Sequence, residues 1–163
     1  MLIKTKKSAI IVQGVVNPSL FDYLKKKKKS PIVVLEGRPK LIALKQSCHE
    51  LIKRKLKPVV ITDNSAGFLF YKNLVKEVWI AFHMIDQQKA LCDIGALIIG
   101  VLARAHKIPV YLYPAIKHFQ LIGNENDTLL FQQVRIAPDG VKAFVPLMEW
   151  LPLKYTTKIY ETK

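Results

Sequence analysis

Apolar residues recur along the chain in short runs separated by longer polar or amphipathic stretches, the spacing of alternating strands and helices. Runs at 9–12, 31–35, 58–62, 77–82 and 109–113 read as five strands. Asn17-Pro18-Ser19 opens a helix after the first, because Asn can cap and Pro tolerates an early helical position. That helix passes through Phe21 and Leu24 into lysines 25–29, whose charge suits a helix C-terminus. Residues 40–55 put Leu41, Leu44, Cys48, Leu51 and Ile52 on one helical face, and 65–73 reads as a short helix. Beyond the fourth strand the pattern predicts a polar loop, then a helix opening at Asp93-Ile94-Gly95 and running to His106. With Leu97, Ile98, Ile99, Val101 and Leu102, that helix is apolar on nearly every side, which predicts burial on more than one face. Residues 128–136 read as an extra strand in a less regular final third.

Strands alternating with helices predict an α/β fold: a single Rossmann-like domain over 1–163, doubly wound, with a mainly parallel sheet covered on both faces. In such sheets ligands bind beyond the carboxyl ends of the strands. The residues just past each strand are therefore the candidate rim: Gln13 and Gly14, then Glu36 to Pro39, then Asp63, Asn64 and Ser65, then His83, then Pro114 with Lys117. No Gly-x-Gly-x-x-Gly follows the first strand, which argues against a dinucleotide enzyme.

Composition narrows the class. The 163 residues suit one domain, and half are hydrophobic, unlike a disordered chain. No apolar run approaches the roughly 18 residues of a membrane span, and the N-terminus lacks the long apolar core and cleavage site of a signal peptide. The expectation is a soluble cytoplasmic protein. Cys48 and Cys92 are too few for a disulfide framework or a zinc site, so neither metal nor cofactor is expected. The net charge of +14 is uneven: residues 1–57 hold 15 of the 26 basic and 3 of the 12 acidic side chains. Such a half can attract nucleic acid, but only Phe21 and Tyr23 interleave with the lysine run, so solvated helix ends compete with a basic RNA-associated module.

Several stretches together resemble a known family. They are IVVLEGRP at 32–39, VITDNS at 60–65, IG at 94–95 continuing into LARAHKIP at 102–109, and EWLPLKYTT at 149–157. Their order and spacing are similar to the C-terminal domain shared by the α, β and δ subunits of translation initiation factor 2B, methylthioribose-1-phosphate isomerase and ribose-1,5-bisphosphate isomerase. Family members usually also carry an N-terminal helical domain, for which this sequence shows no counterpart. The resemblance implies a phosphosugar cleft at the rim and pairing through this domain, as a homodimer or with related subunits. It also implies a catalytic cysteine after the first strand and a catalytic aspartate after the fourth. Here the first position reads VQGV at 12–15, without a thiol, and the second reads AFHM at 81–84, so that His83 stands where the acid would be. The family's Asn-Lys before the helix becomes Cys92-Asp93, and its Gln-Gly after Arg-Pro becomes Ile42-Ala43.

The candidate ligand residues are accordingly Gly14, Glu36, Arg38, Asp63, Asn64, His83, Asp93 and Gly95, with His83 and Asp63 the only candidates for catalysis. Arg38 can grip a phosphate with two donors, or can pair with Glu36 to hold the strand ends. Asp93 reads as the N-cap of the following helix, where it would satisfy the free N–H groups and repel a phosphate. His83 is either a general base or a buried, hydrogen-bonded histidine, and Cys92 beside it raises a Cys–His nucleophile. Lys117 and His118 resemble the family's loop after the fifth strand. Three functions stay open. One is a non-catalytic factor 2B-like domain for subunit assembly or for sensing a small phosphorylated ligand, sugar phosphate or nucleotide. Another is a divergent aldose–ketose isomerase built on His83, Asp63 and Asp93. The third is the RNA-associated module.

Overall fold

A computed structural model of the chain describes residues 8–26, 30–116, 120–131 and 133–160, with side chains 23–26 outside the description. Residues 27–29 of the lysine run, Lys117 and His118 therefore lie outside the described residues. One eight-stranded sheet organises the molecule. Its parallel part contains β1 (Ala9–Gln13), β2 (Ile32–Leu35), β3 (Pro58–Ile61), β4 (Val75–Asp86), β6 (Val110–Pro114) and β10 (Lys158–Ile159), in the order β10-β6-β4-β1-β2-β3. Two antiparallel strands, β5 (Lys89–Asp93) and β9 (Met148–Pro152), extend it beyond the far half of β4.

The period-two alternation of side chains divides each central strand between two cores. Ile10 and Val12 of β1, Ile32 and Val34 of β2, and Trp79 and Ala81 of β4 pack with Phe21 of α1 (Ser19–Lys26) and Leu51 of α2 (Ile42–Lys53). Ile11, Val33, Leu35, Val78 and Ile80 face the opposite way. They pack with Leu69 and Phe70 of α3 (Ala66–Tyr71) and with Ala96, Ile99 and Ala103 of α4 (Ala96–Ala105). β1 is buried throughout, which is why it reads as an unbroken apolar run rather than an alternating one. Each fully buried Ile or Leu contributes about 1.5–3 kcal/mol relative to exposure, so this double-sided burial fixes the register of the central strands. The α/β, mainly parallel architecture expected from the sequence is the one observed.

Four local expectations are overturned. Residues 83–92 are not a polar loop: β4 continues to Asp86 and turns back as β5, and Phe82 pairs with Cys92 across the hairpin. The pattern hid this because Gln87 and Gln88 at the turn carry no Gly or Asn signal. Asp93 consequently ends a strand and caps nothing, and α4 starts at Ala96 with Gly95 as its N-cap. Within the single chain α4 turns Ala96, Ile99, Gly100 and Ala103 to the core and leaves Ile98 65% exposed, so a second buried face is one that a partner would supply. Likewise α2 buries Ala43, Ser47 and Leu51, leaving Ile52 exposed. Finally, residues 128–136 form no continuous strand. They hold the end of α5 (Asn126–Leu129) and a two-strand hairpin, β7 (Leu130–Phe131) with β8 (Val134–Arg135).

Candidate functional site

The carboxyl ends of β1, β2 and β3 supply the first part of the rim. Beyond β3, Asp63 begins a short 3-10 turn and turns its carboxylate back on the loop after β2. Its Oδ1 accepts the Gly37 N–H at 3.0 Å and its Oδ2 accepts the Arg38 N–H at 2.8 Å. Asp63 thus fixes the loop backbone with both oxygens, which leaves it poorly placed to act as a base. Glu36 pairs loosely with Arg38 at 3.7 Å. The Arg38–Pro39 peptide is cis, and the loop swings Arg38 and Lys40 over the end of β1.

β1 ends in Gln13, whose buried side chain donates from Nε2 to the Ile94 carbonyl at 2.9 Å. Its Oε1 is buried without a hydrogen-bond partner among the described residues. Gly14 follows with φ +78°, a left-handed conformation that favours glycine. A Cβ there would also lie 2.6 Å from Asp93 Oδ2 and 2.9 Å from Ala81 Cβ. The space a side chain at position 14 would use is therefore filled by the Asp93 carboxylate.

Asp93 holds its position through His83. His83 Nε2 lies 2.8 Å from Asp93 Oδ1, and the His83 side chain is 6% exposed. A carboxylate only accepts, so Nε2 carries the proton and the imidazole is a donor to Asp93. Glu149, from β9, completes the arrangement. Its Oε1 accepts the N–H groups of Gly95 at 2.7 Å and Leu97 at 2.9 Å. The helix N-terminus that could have held a phosphate is thus capped by a carboxylate of the chain itself.

Two clefts open at this rim, on either side of Gln13. The first is lined by Gln13, Gly14, Arg38, Lys40, Asp93 and Leu147 among others. The second has Asp63, Asn64 and Gly95 at its polar end and Ile98 and Leu102 on its apolar wall. The candidates read from the sequence divide between them: Gly14, Arg38 and Asp93 line the first, and Asp63, Asn64 and Gly95 the second. Glu36 and His83 line neither and act behind Arg38 and Asp93. The Gly95 N–H, already given to Glu149, is not free for a ligand. Lys40, Leu147 and the capping role of Glu149 were not legible beforehand. Residue 149 appeared only within a resembling stretch, and nothing local marks a β9 carboxylate as the cap of a helix 50 residues earlier.

Cys92 does not support a nucleophile. It is fully buried, its Sγ lies 3.7 Å from the Ala90 carbonyl, and burial, then the charges of Asp93 and Glu149, push its thiol well above the ordinary range. The described residues contain no group of three or more His, Cys, Asp or Glu placed to hold a metal, and no helix long and apolar enough to cross a membrane.

The fold is shared with solved proteins. It superimposes on translation initiation factor eIF-2B subunit delta from A. fulgidus with a TM-score of 0.82 and 18% identity, covering 97% of this chain and 53% of that one. On 5-methylthioribose 1-phosphate isomerase from Pyrococcus horikoshii the TM-score is 0.79 with 22% identity, covering 94% and 49%. In sequence, methylthioribose-1-phosphate isomerase of Thermus thermophilus is 29% identical over 140 residues, covering 78% of this chain and 42% of the relative. The isomerase of Roseiflexus sp. is 30% identical over 141 residues, covering 78% and 40%. The chain thus spans less than half the length of these two relatives. The model of the initiation factor 2 subunit family matches residues 5–160, and the chain belongs to that family.

Proposed function

We propose that this chain is a non-catalytic domain of the initiation factor 2B type, serving subunit assembly or the sensing of a small phosphorylated ligand. One observation supports the reading: the Asp93 carboxylate fills the space above Gly14, at the strand end where the resemblance implies a catalytic cysteine. Aldose–ketose isomerisation needs a positioned proton relay, and without one its acid–base contribution, about 10²–10⁴-fold, is lost. The experiment is turnover of methylthioribose 1-phosphate and ribose 1,5-bisphosphate by the full chain. The expected result is none above background. Turnover that His83→Ala or Asp93→Asn abolishes overturns the reading.

The exposed side of α4 supports the assembly half. Phe68 and Tyr71 on α3 and Ile98 and Val101 on α4 are exposed on two helices that pack together. Exposed apolar clusters of this kind mark interaction surfaces, and pairing as a homodimer or with a related subunit is part of the proposal. Sedimentation at micromolar concentration tests it, and a monomer alone removes it.

The 2.8 Å contact between His83 and Asp93 favours a second reading, an isomerase with a relocated relay. Asp93 would be its cleft-facing base and His83 the positioning residue behind it. Asp63, with both oxygens bound to backbone, drops out of that constellation.

A further inference from the structure

The two cations of the first cleft are already engaged by the excursion that joins β6 to β9. Lys40 Nζ lies 2.6 Å from Asp127 Oδ2, and the Arg38 guanidinium sits over the Phe131 ring, 5.2 Å from its centre. Asp127 is anchored in turn, since its Oδ2 accepts the Asn124 N–H at 2.9 Å. The base of the excursion is closed by backbone bonds from Gly123 N–H to the Val145 carbonyl at 2.8 Å and from Leu147 N–H to the Leu121 carbonyl at 2.9 Å. Leu147 also lines the cleft. The excursion is therefore a strap, tied at its base, that lays one carboxylate on a cleft lysine.

Exchange of that carboxylate for another anion is physically easy. The Lys40 and Asp127 side chains are 31% and 22% exposed. That is sheltered enough for the contact to matter, yet open enough that neither charge is stranded when partners change. An oxyanion arriving at Lys40 replaces one negative group by another, and the released Asp127 stays at the surface. Asp93 faces the same cleft and Glu36 pairs with Arg38, so Lys40 is the cation whose competing partner belongs to the strap.

We propose that Lys40 is an anion subsite of the first cleft and that Asp127 is its internal competitor: a small oxyanion bound at Lys40 displaces Asp127 and frees the strap. The proposal rests on the reading of this cleft as a ligand site, and it adds the group that anchors the ligand and the segment that reports its arrival.

The test uses the full chain with inorganic phosphate as probe, calorimetry for affinity, and hydrogen exchange of amides 121–131 for the strap. Asp127→Asn is expected to bind phosphate about fivefold tighter than the parent, because the parent must first break its own contact. Lys40→Met should lose that binding. Phosphate should speed strap exchange in the parent, while Asp127→Asn should exchange fast without it. The charge-exchanged pair, Lys40→Asp with Asp127→Lys, should return strap exchange to the slow parental rate, which separates a lost contact from a misfolded variant. Equal phosphate affinity in the parent, Asp127→Asn and Lys40→Met overturns the proposal, as does strap exchange indifferent to phosphate or an Asp127→Asn variant that binds none. Binding that responds to Asp93→Asn but not to Asp127→Asn would sink the strap and leave the cleft as a ligand site. The reverse pattern accompanied by sugar turnover would keep the strap and sink the non-catalytic reading.

Discussion

Replacing Glu149 tests how the last strand secures the start of α4. In the parent one carboxylate oxygen accepts the N–H groups of Gly95 and Leu97 at 2.7 and 2.9 Å. Removing an N-terminal cap costs about 0.5–2 kcal/mol, and removing a negative charge from a helix N-terminus costs a further 0.3–1 kcal/mol or so. Glu149→Ala leaves two donors near the core without their acceptor, so the expected loss is about 2 kcal/mol. For a chain of this size that corresponds to a fall of roughly 4–8 °C in Tm. Glu149→Gln keeps an oxygen acceptor and loses only the charge, so it should cost less than half as much. Denaturant unfolding and calorimetry of the three proteins give the comparison. An alanine variant within about 0.5 kcal/mol of the parent would refute the capping argument, since surface substitutions fall in that range. A glutamine variant as damaged as alanine would show that charge, rather than an acceptor at this point, secures the helix.

Gly100→Ala should destabilise by about 1 kcal/mol, although alanine is the better helix former, because its Cβ would meet Leu151 Cδ1 at 2.8 Å and Tyr155 Cβ at 3.2 Å; a raised denaturation midpoint would contradict it. Native Cys92 should resist iodoacetamide at pH 8, because burial and two nearby carboxylates hold its thiol up; labelling at the rate of a free thiol would contradict the buried hairpin. The Asp127 carboxyl is held below its usual range by the Lys40 hydrogen bond, so its stabilisation is present above the unfolded value near about 4 and fades as pH falls through the lower folded value. The stability difference between the parent and Asp127→Asn should therefore vanish in acid, and a difference that persists at about pH 2 would contradict it.

The central sheet was legible because β1, β2, β4 and β6 are strands whose apolar runs differ sharply from the helices between them. The β4–β5 hairpin was not, because Gln87 and Gln88 at its turn lack a Gly or Asn signal and Gln87 takes positive φ regardless. That single miss displaced Asp93 from strand end to helix cap. Gly14 and Arg38 were placed on one rim by topology and Asp93 was drawn to it by the resemblance, and the structure does bring all three to one cleft. The partners that decide their chemistry come from far along the chain: Glu149 for α4, Asp127 for Lys40 and Leu147 for the cleft wall. Local pattern carries no information about such pairings, and β9 itself, with Trp150 and Glu149 among its outward positions, alternates too weakly to announce a strand.

The most direct test of the account is the affinity of the parent and of Asp93→Asn for ribose 1,5-bisphosphate, titrated by calorimetry. The account holds that the Asp93 carboxylate beside Gly14 repels a phosphosugar from the cleft. Asparagine keeps a hydrogen-bond acceptor for His83 while removing the charge, so the variant should bind about fivefold tighter, the effect of one like charge a few ångströms away in a partly solvated cleft. Equal affinities, or tighter binding by the parent, would contradict the claim that the Asp93 carboxylate repels the family's sugars from this cleft.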